Sequence, residues 1–529
     1  ITPFSPGSVI IPATVTSGNV YTIGSFTDTV DFDPGAGVSS LTSNGSSDIF
    51  IQKLDANGNL LWVKQIGGTG FDHGISIALD ASGNVYTVGI FSTTVDFNPG
   101  AGVSNLTSNG SYDIFIQKLD ANGDFLWVKQ IGGVGDDYGN SITFDANGNI
   151  YTAGSFQNTV DFDPGSGVSY LTSNGGHDIF IEKLDASGNF LWVKQMGDLN
   201  NDRGISITLD GSGNIHTTGN FQGTVDFNPG AGVSNLTSTG YGAIFIQKLD
   251  SNGNFVWVKQ MGAIVNSSAL DASGNVYTIG FFLGTVDFDP GVGVFNLISN
   301  GYEDIFIQKL DANGDFLWVK QIGGTYEDYG NSITLDATGN VYTTGSFGYV
   351  VDFDPGTGVS NLTSNGSSDI FIQKLDANGN FLWVKQMGGT DQEYGVSISI
   401  DASGNVYTTG VFSETVDFDP GAGVSNLTSN GFDDIFIQKL KVAGVGIIEN
   451  DFGTEFLLYP NPTDGFFSID FGKPYDATIT ITDLTGKIIL TKTYTDSQLI
   501  NLKLDEPTGV YLLIVESAEK KAVIKLVKE

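Results

Sequence analysis

The sequence contains no cysteine, so it offers neither disulfide bonds nor a thiol nucleophile, and redox chemistry indicates no compartment. Histidine is nearly absent too, since only His73, His177 and His216 occur, at three different positions of the repeat described below. The motifs G-x-S-x-G and H-E-x-x-H and a phosphate-binding loop are missing, which weighs against the common hydrolase, metalloprotease and nucleotide sites. No apolar run approaches the roughly 18 residues of a spanning helix, so no transmembrane segment is predicted.

Basic residues are scarce, because 23 Lys and Arg face 59 Asp and Glu, for a formal net charge of −36. Only 11 acidic and 8 basic residues lie from Thr454 onward, so the first 453 residues carry 33 of the net negative charges. Such a surface repels phosphate backbones, and we therefore predict no nucleic-acid partner. It suits cations, saline surroundings or simply solubility. Position 1 is Ile rather than Met, so we expect a processed or truncated start.

What the chain has in abundance is one repeat. Six tryptophans mark it with spacings of 65, 65, 65, 61 and 65 residues: Trp62, Trp127, Trp192, Trp257, Trp318 and Trp383. The stretch Asp369–Gln386 places two apolar segments around the polar turn Asp376–Asn380, which is typical of a β-hairpin. Near-copies of this stretch begin at Asp48, Asp113, Asp178, Ile244, Asp304 and Asp434. The chain before about residue 450 is therefore this hairpin repeated together with its neighbours.

Each repeat is predicted to hold four strands, A to D. In the repeat that starts at Tyr329 they are Ser332–Leu335, Val341–Phe347, Asp369–Leu375 and Phe381–Gln386. Runs such as IFI and LLWV are apolar on both sides, so both faces of each small sheet need cover, which radial stacking provides. The B and C signatures occur seven times and the D signature six. We predict an all-β, seven-bladed β-propeller of four-stranded blades, with Ile1–Phe4 supplying the missing strand before an A strand near Val9–Pro12.

The string D-x-F-x-x-K-L-D-x-x-G-N-x-x-W is followed by G-G and then by S-I-x-L-D-x-x-G-N-V-Y-x-x-G. It resembles the bacterial SBBP-type β-propeller repeat, and the resemblance covers about 440 residues. The repeats depart from that pattern by an insertion of about twenty residues between strands B and C, such as VDFDPGTGVSNLTSNG.

From about Thr454 the repeat ends, and the alternating segments that follow predict a small β-sandwich. Its motifs Pro460-Asn461-Pro462, Asp483–Lys487 and Gly509–Tyr511, with a basic strand through Lys528, resemble the C-terminal sorting domain of the Bacteroidetes type IX secretion system. The resemblance implies that the type IX secretion machinery exports the protein, which is then secreted or held at the outer-membrane surface of a Gram-negative bacterium. An ordinary small β-domain is the alternative. The predicted domains are a propeller at 1–441, a linker at 442–453 and the sorting domain at 454–529.

The alternating direction of the strands predicts on which face a ligand binds. If strands A to D alternate in direction, the near-identical A–B and C–D turns share one face, and the B–C insertions and D–A loops share the other. The second face carries most of the sequence variation, so we expect the ligand there. Its D–A loops set aromatic rings beside carboxylates, a combination that stacks on and hydrogen-bonds a sugar or a peptide, although solvated loops of an acidic protein look similar. The predicted ligand-binding residues are Phe71, Asp72, Asp136, Asp137, Tyr138, Asp202, Tyr326, Glu327, Asp328, Tyr329, Asp391, Glu393 and Tyr394.

The insertions contain seven D-F-[DN]-P-G strings. Two oxygen ligands at positions i and i+2 beside a glycine-rich loop suit Ca²⁺, whereas Asp-Pro-Gly equally suits a structural turn, and EF-hand spacing is absent. The candidate calcium ligands are Asp31, Asp33, Asp96, Asn98, Asp161, Asp163, Asp226, Asn228, Asp287, Asp289, Asp352, Asp354, Asp417 and Asp419.

Two functional classes follow from the sequence. The first is a secreted or surface binding and adhesion scaffold that presents variable acidic and aromatic loops to a glycan or protein ligand. The second is a secreted polysaccharide hydrolase or lyase that uses carboxylates of the same face. Near-identity of the repeats favours the scaffold, because multivalent binding uses equivalent sites whereas catalysis needs one asymmetric site. No catalytic residue is predicted.

Overall fold

The computed structural model describes residues 13–16, 18–238, 242–421, 423–441, 449–450, 452, 456–460, 463, 465–483, 487–507, 509–517 and 520–528. These described residues form strands, turns and loops, without a helix. The chain divides into two compact units. The first ends at Leu440 and the second begins at Lys441, with Ser403–Asn405 grouped with the second.

The first unit repeats four strands. The A strands are Ala13–Thr16, His73–Leu79, Tyr138–Phe144, Arg203–Leu209, Ile264–Leu270, Tyr329–Leu335 and Tyr394–Ile400. The B strands are Asn19–Phe26, Val85–Phe91, Ile150–Phe156, Ile215–Phe221, Val276–Phe282, Val341–Phe347 and Val406–Asp417. The C strands are Asp48–Leu54, Asp113–Leu119, Asp178–Leu184, Ala243–Leu249, Asp304–Leu310, Asp369–Leu375 and Asn426–Leu440. The D strands are Leu60–Gly68, Phe125–Gly133, Phe190–Met196, Phe255–Met261, Phe316–Ile322 and Phe381–Met387.

The strands of each repeat pair antiparallel in the order A–B–C–D, and within the described residues the seventh repeat shows A–B–C. Each A strand contacts the A strand of the next repeat, and that of the first repeat also contacts that of the seventh. The A strands are therefore the inner strands. In the repeat at Tyr329, strands B and C have the predicted bounds, whereas strand A begins at Tyr329 rather than Ser332. A bulge between Gly330 and Ser332 breaks the alternation from which strand A was predicted.

The first A strand lies at Ala13–Thr16, later than predicted. The predicted position, Val9–Pro12, and the predicted closing strand, Ile1–Phe4, lie outside the described residues.

The core lies between successive sheets, as the two-sided apolar runs predict. In the first C strand, Ile49 and Ile51 pack with Phe91 and Phe97 of the second repeat, while Phe50 faces the other way. All of these side chains are buried. A sheet with two apolar faces is stable only when a neighbour covers each face, so the repeats depend on one another.

The insertions form hairpins, not irregular loops. The strand pairs are Thr29–Asp31 with Ser40–Thr42, Thr94–Asp96 with Asn105–Thr107, Thr159–Asp161 with Tyr170–Thr172, Thr224–Asp226 with Asn235–Thr237, Thr285–Asp287 with Asn296–Ile298, and Val350–Asp352 with Asn361–Thr363. In the seventh repeat the hairpin continues strands B and C. The end of one D strand also pairs with the hairpin of the following repeat, at Gly67 with Asp96 and Gly132 with Asp161.

The opposite face joins neighbouring repeats through the C–D turns. Trp62 Nε1 and Lys53 Nζ both donate to the carbonyl of Ala121 in the next turn, at 3.4 and 2.9 Å. The corresponding bond from the seventh repeat to the first runs from Lys439 Nζ to Ala56 O, at 2.9 Å.

The second unit is a single sheet assembly around one long bent strand. Its strands are Glu449–Asn450, Leu457–Tyr459, Phe466–Thr482, Ile488–Lys503, Gly509–Glu516 and Lys521–Lys528. Phe466–Thr482 pairs with Leu457–Tyr459, Ile488–Lys503 and Gly509–Glu516. Alternate side chains of the long strand, including Phe467, Ile469 and Ile481, are buried in one core with residues of the other strands.

No helix in the described part of the chain has the length and apolar character that a membrane crossing requires.

Candidate functional site

The repeats are close copies, so the positions at which they differ mark where one copy acquires a property of its own. One such position precedes the C strand: Ser47, Tyr112, His177, Gly242, Glu303, Ser368 and Asp433. Another is the first residue of the A strand: His73, Tyr138, Arg203, Ile264, Tyr329 and Tyr394. A third faces it on the B strand: Ile90, Ser155, Asn220, Phe281, Ser346 and Val411.

These positions meet at one end of the inner strands. The backbone N–H of Asp137, in a D–A loop, donates to the carbonyl of Tyr112 at 3.0 Å, and that of Asp328 donates to Glu303 at 2.8 Å. The D–A loops and the residues that precede the C strands are thus side by side. We call this surface, with the first residues of the A strands, the variable face.

Five of the predicted ligand residues are buried and hold the D–A loops in place: Asp72, Asp137, Asp202, Asp328 and Glu393. Each aspartate bridges its loop and the turn after the B strand. In the sixth repeat, for example, Asp328 accepts the backbone N–H of Gly324 at 2.7 Å and that of Gly348 at 3.0 Å. Glu393 accepts the N–H of Gly389 at 3.0 Å. This differs from the sequence prediction, because a carboxylate under the loop meets a ligand only if the loop opens.

These five carboxyl groups, which we call the clamp carboxylates, have altered acidity because they are buried. Burial raises the pKa of Asp72, Asp137, Asp202, Asp328 and Glu393 to about 7, against backbone hydrogen bonds that lower it. The clamp carboxylates therefore titrate near neutrality.

The other predicted ligand residues are half-buried or exposed on the variable face: Phe71, Asp136, Tyr138, Tyr326, Glu327, Tyr329, Asp391 and Tyr394. Burial raises the pKa of Tyr138 and of Tyr329 to about 12, and nearby carboxylates, Asp136 and Glu303 among them, act in the same direction. Both hydroxyls therefore stay neutral and available as hydrogen-bond donors at physiological pH.

Four rings form a continuous aromatic arc along the second and third repeats: Phe71, Tyr112, Tyr138 and His177. Successive ring centroids are 5.9, 6.2 and 5.6 Å apart. At one end, Phe71 stacks on His73 at 5.8 Å, whose Nδ1 lies 2.6 Å from Ser25 Oγ. At the other end, His177 Nδ1 lies 3.1 Å from Asn201 Oδ1. All four rings of the arc are half-buried, so part of each reaches solvent.

Repeats six and seven make the variable face acidic. Tyr326 stacks on Tyr349 at 4.0 Å, and Tyr394 donates its hydroxyl hydrogen to Gln392 Oε1 at 2.9 Å. A cavity of about 310 Å³ opens beside them, lined by Asp391, Gln392, Tyr394, Ser413, Glu414, Gly431 and Asp433. Aromatic rings flanked by carboxylates and an amide are able to hold a polyhydroxylated ligand, because the rings cover apolar patches and the polar groups fix orientation.

In the described hairpins, the side-chain oxygens of the Asp and Asn pairs accept backbone hydrogen bonds that hold the turn. Asp352 Oδ1 accepts the backbone N–H of Asp354 at 3.0 Å and of Ser360 at 2.8 Å. Asp354 Oδ1 in turn accepts the N–H of Gly356 at 2.8 Å. The other repeats make the same bonds, including Asn98 and Asn228 in the second position. Among the described residues, no three His, Cys, Asp or Glu side chains converge as a metal cluster, and calcium stays a prediction.

Sequence reasoning missed part of the site. Tyr112 and His177 complete the aromatic arc, and Asn201 and Arg203 adjoin it, yet none was among the predicted residues. Tyr112 and His177 lie just before the C strand rather than in a D–A loop. Comparing the repeats with one another would have found them, because the nearly invariant C strand follows a residue that differs in almost every copy.

Comparisons with known proteins match both units. The profile described as "Beta-propeller repeat" matches residues 126–155, 191–220 and 317–346. The profile described as "Secretion system C-terminal sorting domain" matches residues 457–529.

Among curated proteins, the chain is 26% identical over 455 residues to an uncharacterized WD repeat-containing protein of Acanthamoeba polyphaga mimivirus, covering 73% of this chain and 33% of the relative. It is 26% identical over 209 residues to the regulatory protein FlaEY of Caulobacter vibrioides, covering 39% of this chain and 21% of that protein. The chain thus spans a third or less of each relative. A crystal structure of a protein of unknown function from Bacteroides caccae aligns with a TM-score of 0.34 and 11% identity, covering 64% of this chain and 89% of that one.

Proposed function

The chain carries SBBP-type β-propeller repeats and a C-terminal sorting domain of the type IX secretion system, and from this we propose an exported scaffold that binds a glycan on its variable face. The sorting domain accounts for export to the exterior or the cell surface of a Bacteroidetes bacterium. The propeller repeats account for a rigid frame on which a few side chains per repeat differ. Adhesion to a glycan-bearing surface is the role we assign to the whole protein.

The aromatic arc is the observation that supports glycan binding. A sugar ring presents an apolar C–H face and a rim of hydroxyls, so it stacks on a half-exposed aromatic ring and hydrogen-bonds the groups beside it. Phe71, Tyr112, Tyr138 and His177 provide such rings in series, and Asp136 and Asn201 provide polar partners. A series of adjacent rings suits an extended oligosaccharide better than a single monosaccharide.

A glycan array on the purified full chain tests this proposal. We expect Tyr138→Ala to weaken binding of the recognised glycan at least tenfold, or about 1.4 kcal/mol, because it removes the middle of the arc. Tyr170→Ala is the matched control, since Tyr170 lies in the hairpin of the same repeat and is 64% exposed, and it should leave affinity unchanged.

Three other results would overturn the proposal. Equal losses of glycan affinity in the two variants would show that the arc is not part of the binding site. Binding to proteins but to no glycan would replace the ligand class. Release of reducing ends from a bound polysaccharide would instead identify a hydrolase or lyase on the same face.

We also propose that the first unit is a closed ring of seven blades, within domain limits of 1–441, followed by the linker 442–453 and a β-sandwich at 454–529. The bond from Lys439 to Ala56 and the packing of Phe26 and Phe50 against Ile435 support closure between the seventh and first repeats. A groove of about 360 Å³ runs beside the seventh C strand, where other repeats carry strand D, and Phe418, Ile437 and Leu440 help to line it. The closing strand predicted at Ile1–Phe4 is the segment that we propose for this groove.

The export role is tested by removing residues 454–529 in a secreting host. We expect a folded propeller that stays inside the cell, because the buried clusters of the described repeats are built from repeat residues. Fusing residues 454–529 to an unrelated carrier is the complementary control and should carry it to the exterior. Surface display of the truncated protein would contradict the proposed role.

A further inference from the structure

Arg203 is the only arginine of the chain, and it lies on the variable face as the first residue of the fourth A strand. The other basic residues of the first unit are lysines, and those of the repeats lie on the C and D strands at Lys53, Lys64, Lys118, Lys129, Lys183, Lys194, Lys248, Lys259, Lys309, Lys320, Lys374, Lys385 and Lys439. Several of these pair with carboxylates of the turns on the opposite face, as Lys118 does with Asp80 at 3.8 Å. Arg203 is thus a single cation among the acidic groups of the variable face.

Arg203 adjoins the aromatic arc. Its strand contacts that of Tyr138, which holds the same position in the preceding repeat, and Asn140 of that strand donates to the carbonyl of Gly204 at 2.8 Å. On its other side, Asn201 bonds His177, and the N–H of Asp202 donates to the His177 carbonyl at 2.7 Å. The backbone of Arg203 therefore lies beside two members of the arc, Tyr138 and His177, and its charge lies close enough to the Tyr138 hydroxyl to act on the pKa of that group.

No described carboxylate pairs with the Arg203 guanidinium. The adjacent Asp202 is turned inward, where it accepts the backbone N–H groups of Asp198 and Gln222 at 2.9 and 3.0 Å. Arg203 is half-buried, so its charge is partly removed from water, and the described part of the chain supplies no carboxylate partner for it. A desolvated guanidinium gains most from a carboxylate, which its planar fork of N–H donors matches with two parallel hydrogen bonds.

We propose that Arg203 forms a carboxylate-binding subsite within the glycan site, so that the recognised glycan is an acidic one carrying a uronic acid at this position. The inference rests on the proposed function and deepens it. Tyr138 and His177 stack on the sugar rings to either side, while the exposed side-chain amide of Asn201 hydrogen-bonds a hydroxyl. The ligand carries isolated rather than consecutive carboxylates, because Asp136, Glu303, Glu327, Asp391 and Asp433 on the same face repel a polyanion.

The test uses pairs of oligosaccharides that differ only in a uronic carboxylate against a neutral hydroxymethyl group. We expect the full-length protein to bind the acidic member of a recognised pair at least tenfold more tightly than the neutral member. Methyl esterification of the carboxylate should abolish that preference. Arg203→Gln should abolish it too, and Arg203→Lys should retain part of it, since an ammonium keeps the charge but not the planar fork.

The outcomes separate this inference from the proposed function. Equal binding of the acidic and neutral members, or a preference that survives Arg203→Gln, overturns the carboxylate subsite while leaving glycan binding intact. Absence of binding to every glycan overturns both. The ester comparison on the unaltered protein decides the matter even if the Arg203 variants fold poorly.

Discussion

At the scale of single residues, Glu182 is the most informative departure from the repeat. The other six repeats have Gln at this C-strand position, and its Nε2 donates to the carbonyl of the hairpin Phe, as Gln117 does to Phe97 at 2.6 Å. Glu182 is fully buried, accepts a bond from Thr152 Oγ1 at 3.3 Å, and leaves Oε1 without a partner. Burial raises its pKa well above the ordinary value, so the side chain is held as the neutral acid.

We expect Glu182→Gln to stabilise the protein, and more so at high pH. A group whose folded pKa is raised contributes stability that declines as pH rises above its unfolded pKa and is lost through the folded pKa. The gain should reach about 1–3 kcal/mol, the cost of an unsatisfied buried polar group, and thermal unfolding at pH 5 and pH 8 measures it. Gln117→Glu is the matched control and should create the same alkaline instability. A gain independent of pH would contradict the argument.

The clamp carboxylates of the D–A loops act in the same direction. The raised pKa of Asp328, about 7, means that the folded state binds the additional proton between roughly pH 4 and 7, so stability falls as pH rises through that range. Each clamp contributes at most about 1.4 kcal/mol per pH unit. We expect Asp328→Asn to flatten the dependence of the melting temperature on pH between 5 and 8.

Asp376→Asn is the control for this prediction, because the pKa of Asp376 is shifted in the opposite direction from that of Asp328. Hydrogen bonds from Asn380 help to hold the pKa of Asp376, in an exposed turn, below its ordinary value. The stability it contributes is therefore present above its unfolded pKa and lost only as pH falls below about 4. Melting curves of Asp328→Asn that run parallel to the wild type from pH 5 to 8 would show that the clamp does not titrate there.

At the scale of elements, the structure gives the hairpins a different role from the one predicted from the sequence. As insertions into a known repeat pattern they were predicted to share the face that carries the variation, yet their own sequences are nearly identical. The structure explains this, because each described hairpin pairs with or bonds strand D, as Gln65 Nε2 does to Thr42 O at 2.7 Å. Their constancy reflects a structural task, and the variation is left to the D–A loops and the residues before strand C.

The hairpin Asp pairs allow a test that separates a turn from a calcium site. Asp352→Ala with Asp354→Ala removes three backbone hydrogen bonds, so we expect a lower melting temperature in chelator as well as in calcium. A calcium site with a dissociation constant near ~10⁻⁴ M would add about 1.4 kcal/mol at 1 mM Ca²⁺, and that increment would vanish in the variant.

Asn98→Asp is the matched change for this test, since it restores a second carboxylate to a hairpin that has an amide. A melting temperature raised by calcium, and raised further by Asn98→Asp, would establish the metal site. Calorimetry without calcium binding would leave the strings as turns.

At the scale of the whole molecule, the proposed closure of the ring through an N-terminal strand is open to a direct test. Deleting residues 1–12 should leave the outer edge of Asn426–Leu440 uncovered, which lowers the melting temperature and promotes aggregation through edge pairing. Thermal unfolding with light scattering measures both effects. Removing residues 454–529 instead is the control and should affect neither. An unchanged melting temperature after the N-terminal deletion would refute closure by this segment.

Much of the fold follows from short-range pattern. Alternation, apolar runs and Asp-x-x-Gly-Asn turns are local properties, so the B and C strands at Val341–Phe347 and Asp369–Leu375 were predicted to the residue. The start of the A strand at Tyr329–Leu335 was not predicted, because a bulge between Gly330 and Ser332 interrupts the alternation of side chains there.

The sequence by itself determined that the chain is an all-β repeat protein with an export domain, because those properties reside in motifs repeated or matched along the chain. Only the tertiary structure decided which carboxylates lie on the surface of the variable face. Asp136 and Asp137 are neighbours in one acidic loop, yet Asp137 is buried against backbone N–H groups and Asp136 remains on the surface. Likewise, Phe71 and Tyr112 belong to one repeat and Tyr138 and His177 to the next. They form one arc only because radial packing brings the inner ends of the two sheets together.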